Sequence, residues 1–178
     1  SGLHSLKIGL NDGTDGKWVI WGESIPYNPS KMYKMTIVAK QSHGSGTFYA
    51  GFTGRNQGDT AYISTAGGAT PSSSHYFAAS GVDVPVDWTT YVGYVTGNEG
   101  TTNANGDGSS ISSPYAMKTG VYWFRPMFIV NYDNVAGITY VDSIVVEEVD
   151  DSYASQIILD TNGMTLKDAA GTTLASYG

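Results

Sequence analysis

Tyr33-Lys-Met-Thr-Ile-Val-Ala-Lys40 alternates without interruption: Tyr33, Met35, Ile37 and Ala39 share one parity, and Lys34, Thr36, Val38 and Lys40 share the other. Successive side chains of an extended chain point to opposite faces, so this stretch predicts a half-buried β-strand. The same pattern recurs on either side. Thr47 to Thr53 sets Phe48, Ala50 and Phe52 against Thr47, Tyr49, Gly51 and Thr53. Thr89 to Thr96 sets Tyr91, Gly93 and Val95 against Val92, Tyr94 and Thr96. Val121 to Tyr132 is apolar on both parities apart from Arg125 and Asn131, as expected of a strand covered on both faces. Ile138 to Val149 is dense in Val and Ile and predicts another strand.

Turn chemistry separates these runs: Asn11-Asp-Gly13, Gly44-Ser-Gly46, Gly67-Gly68, Asn98-Glu-Gly100 and Asn105-Gly-Asp-Gly108. No segment carries a helical stripe with caps. Strands divided by Gly-rich turns predict an all-β antiparallel sandwich. Gly54 to Ser74 and Gly97 to Pro114 read as long loops, with Arg55 and Tyr62 of the first able to fold back on a sheet.

Composition narrows the function. Nine cations against sixteen anions give a net charge of −7, which disfavours nucleic acid as a partner. Aromatics at 12% and a set of 13 Tyr argue against a disordered chain. Without Cys there is neither a disulfide nor a thiolate metal site. No apolar run is long enough to predict a membrane-inserted helix. The start, Ser-Gly-Leu-His4, and the end, Leu174-Ala-Ser-Tyr-Gly178, read as those of a fragment with more chain around it.

The last 25 or so residues change character. Asp160, Gly163 and Leu166 recur eight positions later as Asp168, Gly171 and Leu174. Each copy reads as a strand and a tight turn, and two copies are too few to bury an apolar face alone. The expected domains are residues 1–150, a sandwich, and 151–178, a β-repeat extension.

The stretch Ile158-Leu-Asp-Thr-Asn-Gly-Met-Thr-Leu-Lys-Asp-Ala-Ala-Gly-Thr-Thr-Leu-Ala-Ser-Tyr-Gly178 resembles segments of bacteriophage tail-fibre and tail-tip proteins. There a pattern like Leu-Asp-x-x-Gly-x-x-Leu-x-Asp-x-x-Gly-x-x-Leu-Ala-Ser follows a globular module. The preceding residues resemble carbohydrate-binding-module-type jelly rolls. Three stretches carry that likeness: Ile25 to Lys40; Asp87-Trp-Thr-Thr-Tyr-Val-Gly-Tyr-Val95; and Arg125-Pro-Met-Phe-Ile-Val-Asn-Tyr132 with Thr139-Tyr-Val-Asp-Ser-Ile-Val-Val146. The resemblance implies a non-catalytic receptor-binding domain on a virion tail, usually a homotrimer, that binds host polysaccharide or lipopolysaccharide. It also implies a structural Ca²⁺, since jelly rolls of this kind often hold one.

Sugar recognition wants flat aromatic faces and planar polar groups. The candidates are Tyr49, Arg55, Tyr62, Tyr94, Trp123, Arg125 and Asn131. Trp123, Arg125, Met127, Ile129 and Asn131 share one parity; Tyr122, Phe124, Phe128, Val130 and Tyr132 share the other and read as the core. Arg125 either lines the groove or sits in a structural ion pair. Trp88, at the start of a strand, reads as core. For Ca²⁺ the candidate oxygens are Asn11, Asp12 and Asp15 in an early turn, and Asp142, which matches an Asp of the jelly-roll pattern.

Catalysis has little support. His4, His43 and His75 are far apart in sequence, and neither a nucleophile elbow nor a His-Glu-x-x-His motif is present. Glu147 and Glu148 are adjacent on a strand, point to opposite faces, and cannot both flank one glycosidic bond. A ligand-free spacer in the fibre and a polysaccharide depolymerase are the alternatives.

Overall fold

The computed structural model describes residues 4–9, 16–42, 46–63, 74–97, 107–134 and 137–149, and the backbone of 156–160, 163–167 and 173–177. The protein is all-β, with no helix among the described residues. One sheet runs in the order β1 (Leu6–Ile8), β10 (Thr139–Val149), β4 (Met32–Gln41), β7 (Thr89–Thr96), β8 (Tyr115–Ala116). The other runs β2 (Trp18–Trp21), β9 (Trp123–Val130), β5 (Thr47–Arg55), β6 (Ser74–Asp83), with β3 (Ile25–Pro26) also pairing with β9. All pairings are antiparallel except β7 with β8. The predicted sandwich is what the chain forms.

The alternation does the sorting. Met35, Ile37 and Ala39 of β4 and Phe48, Ala50 and Phe52 of β5 are fully buried between the sheets. Phe124, Phe128 and Val130 of β9 join them. The rings interlock: Phe52 meets Phe124 at 4.2 Å and Phe77 at 4.8 Å between centroids, and Tyr33 meets Phe124 at 5.1 Å. Each such pair contributes roughly 0.5–1.5 kcal/mol beyond its buried area.

Strands β11 (Gln156–Asp160), β12 (Gly163–Lys167) and β13 (Thr173–Tyr177) form a separate antiparallel sheet. Ile157 pairs with Leu166 and Leu166 with Ala175, while Leu159 pairs with Met164 and Met164 with Tyr177.

Three expectations about side-chain placement fail. Tyr122 and Tyr132, read as core, are 51% and 46% exposed, because β9 is confined to 123–130 and neither residue obeys its pleat. Trp88 lies just before β7 and is exposed, with the Lys40 ammonium 4.8 Å from its ring centroid. Asn131, expected in the groove, is fully buried: it adopts a left-handed φ of 52° at the end of β9, and its amide donates to the Gly137 carbonyl.

His75 lies wholly inside the sandwich, edge-on to Tyr115, with neither ring nitrogen hydrogen-bonded. Burial, and secondarily the charge of Lys118, pulls its pKa down to about 3 from 6.5. The unfolded imidazole takes a proton below about pH 6.5, the folded one only near 3. Stability therefore falls as pH drops through that window, by up to about 1.4 kcal/mol per pH unit from this group. Urea unfolding of wild type and His75→Phe between pH 7 and 4 should show a shallower pH dependence for the variant.

Candidate functional site

The outer face of the β2-β9-β5-β6 sheet is built by the residues that the core leaves over. In β5 these are Tyr49, Gly51, Thr53 and Arg55; in β9 they are Trp123, Arg125, Met127 and Ile129. The register sets Tyr49 beside Ile129, Gly51 beside Met127, Thr53 beside Arg125 and Arg55 beside Trp123. Val19 and Trp21 extend the face from β2, opposite Ile129 and Met127. Gly51 is required here: a Cβ at that position would lie 1.8 Å from the His75 carbonyl oxygen, so no side chain stands on the floor of the face.

A groove of about 310 Å³ lies on this face. Its walls include Trp21, Tyr62, Tyr76 and Tyr132, with Met127 and Ile129 below and Lys17, Thr53 and Ser74 as polar groups. Trp21 and Tyr62 are about half exposed, at 51% and 49%. Tyr49 stands behind, packed against Tyr76 at 4.8 Å and Tyr132 at 4.9 Å. The Lys17 ammonium sits 4.8 Å from the Tyr132 centroid, which holds that ring in place. A concave, mostly apolar surface with few polar groups is the form that small-ligand sites take.

One end of the face is set by charge. Asp59 pairs with the Arg55 guanidinium through Nε, and its second oxygen lies 3.7 Å from Arg125. The Arg125 Nε donates to the Ser24 hydroxyl at 2.7 Å. Arg55 is buried and stacks on Tyr62, 4.8 Å from its centroid, while a β-bridge joins the two backbones. The Trp123 indole donates to the Gln57 carbonyl at 2.9 Å. Desolvation pushes the Asp59 carboxyl up, but hydrogen bonds from Ser24 and Arg55 and the charges of Arg55 and Arg125 outweigh it and hold its pKa below the usual value.

Five predicted sugar-contacting residues, Tyr49, Arg55, Tyr62, Trp123 and Arg125, thus gather on one face. Tyr94 does not: it pairs with Lys34 on the opposite sheet, on the parity away from the core. Arg125 lies on the face and within an ion pair with Asp59, and is not among the residues that line the groove. The sequence reading missed Lys17 and Tyr76 and took Tyr132 for core. Trp21 stands in Trp18-Val-Ile-Trp21, a short apolar run between Lys17 and Gly22, and a Trp is a natural sugar-facing ring.

For a metal, Asn11, Asp12 and Asp15 lie outside the described residues. Asp142 sits at a bulge in β10. Among the described residues no three His, Asp or Glu side chains gather as a metal site.

Asp59→Asn should free Arg55 and loosen Tyr62. Amide exchange at Tyr62 is expected to rise several-fold in the variant. Because the folded pKa of Asp59 is lowered, its stabilisation is present above about pH 4 and is lost as pH falls through the folded value. Wild type should approach the variant in stability as pH falls below that folded value.

Comparison with known protein families and with curated proteins finds no match to this chain.

Proposed function

We propose that this chain is a binding module for host cell-surface carbohydrate, either polysaccharide or lipopolysaccharide, on a bacteriophage tail fibre or tail tip. The single observation that carries the binding reading is the groove with Trp21, Tyr62, Tyr76 and Tyr132 on its walls and the two arginines of the chain beside it. Aromatic rings lie against the C–H faces of pyranose rings, while Lys17, Thr53 and Ser74 meet hydroxyls. The virion setting is supported by the resemblance of residues 158–178 to tail-fibre segments, and by nothing else.

The reading is non-catalytic. The residues lining the groove include no carboxylate, and Asp59 beside it is held by two guanidinium groups. Hydrolysis of a glycosidic bond by the usual route needs two carboxyl groups across the sugar. Glu147 and Glu148, on the other sheet, are paired with Lys34 and Lys31. A structural Ca²⁺ in the early turn with Asp142 remains part of the proposal.

The β11–β13 sheet is the trimerisation element of the proposal. Register places Ile157, Leu159, Met164, Leu166, Ala175 and Tyr177 on a shared parity, and a three-stranded sheet with one apolar face is stabilised by packing against another surface. Three copies on a common axis would raise weak single-site binding through effective concentration.

Titration against lipopolysaccharide and capsular polysaccharides should give binding that Trp21→Ala or Tyr76→Ala weakens at least tenfold, or about 1.4 kcal/mol. A folded protein that binds no glycan at millimolar concentration would point to a spacer, and release of reducing ends would point to a depolymerase. By light scattering, the whole chain should be a trimer and the chain lacking 153–178 a monomer; a persistent trimer contradicts the assignment.

A further inference from the structure

The groove floor carries a polar atom that the described residues leave unmet. Thr53 lines the groove yet is only 2% exposed, and its hydroxyl has no hydrogen-bond partner among them. It stands on the outward parity of β5, with Arg125 beside it on β9 and Ser74 beside it on β6. Arg125 is engaged elsewhere: its Nε donates to the Ser24 hydroxyl and its guanidinium faces Asp59. A buried hydroxyl without a partner is destabilising, and a ligand that supplies the partner relieves that cost on binding.

Around that hydroxyl the floor is apolar, formed by Val19, Met127 and Ile129. Gly51 pairs with Met127 and Thr53 with Arg125, so Thr53 and Met127 are diagonal neighbours across the two strands. Such neighbours lie roughly 7–8 Å apart. A group that fits here is therefore polar at one end and apolar at the other, over a short span.

A plain hexose carries hydroxyls around its rim, and those turned to Val19, Met127 and Ile129 would lose water and gain no partner. A 6-deoxy sugar has a methyl group for the apolar floor and nothing beside it for Thr53. An acetamido group meets both needs. Its methyl lies against Met127 and Ile129, and its amide N–H or C=O engages a hydroxyl that can both donate and accept. A groove of about 310 Å³ is at the small end of ligand sites and suits one such sugar unit. The geometry points to an N-acetylated amino sugar as the unit this groove selects, with Thr53 as the residue that reads its amide. This inference rests on the glycan reading of the groove and adds the sugar class to it.

The probes are methyl glycosides in pairs: N-acetylglucosamine, N-acetylgalactosamine and N-acetylmannosamine, each against its parent hexose. With the full chain, at least one N-acetyl member should bind at least tenfold tighter than its hexose, and saturation-transfer NMR should give its acetyl methyl the strongest signal. Thr53→Val should leave thermal stability unchanged or raised, and weaken binding of that N-acetyl sugar at least fivefold. Thr53→Ser, which keeps the hydroxyl, should retain the preference. A clear loss of stability in Thr53→Val would mean that the chain itself, through residues 64–73 for example, already satisfies the hydroxyl, and would overturn the proposal. Glycan binding with no preference for any N-acetyl member, or a preference that Thr53→Val leaves intact, would overturn it too while the glycan reading stands. Binding of no glycan by the folded chain would remove both.

Discussion

Phe52 on β5 and Phe124 on β9, 4.2 Å apart between ring centroids, hold the rest of the structure to one arrangement. Side chains on a strand alternate with a period of two, so a slip of one residue would turn every side chain to the other face. With Phe52 and Phe124 inward, Tyr49, Thr53, Arg55, Trp123, Arg125 and Met127 have no other place than the outer face. The same interior contact therefore makes the core and presents the groove. Gly54, opposite Phe124, and Gly51, opposite Met127, keep the two strands within packing distance of their neighbours.

Electrostatics act locally on this background. The chain is acidic overall, yet both of its arginines lie on one sheet face. They meet at Asp59, itself in a left-handed conformation with φ 52°. Such a conformation in a non-Gly residue persists where its surroundings hold it, here by two guanidinium groups and the Ser24 hydroxyl. The negative charge of the protein thus says little about what this face binds.

Much of the fold was legible because β4, β5 and β7 alternate cleanly. The strand β6 was not, since His75 occupies a buried position where an apolar residue would complete the pattern. Nor were β1, β2 and β3, which are four residues or fewer. The site was legible where parity runs through a regular strand, as at Tyr49 and Trp123. It failed at the end of β9, where the left-handed turn at Asn131 tucks that side chain inside and sends Tyr132 out to the groove. Pleat arithmetic cannot be carried past a residue that leaves the pleat.

The excursion from Arg55 to Tyr62 closes on itself. The Asn56 side-chain oxygen accepts from the backbone N–H of Thr60 and Ala61, the Asn56 N–H donates to the Ala61 carbonyl, and the ends are joined by the Arg55–Tyr62 bridge. Its shape is thus largely independent of Gln57 and Gly58 at the tip. Those positions are free to vary without disturbing the sandwich, and a change there alters only the surface around the loop tip. The loop is a place where sequence can diversify while the scaffold stays constant.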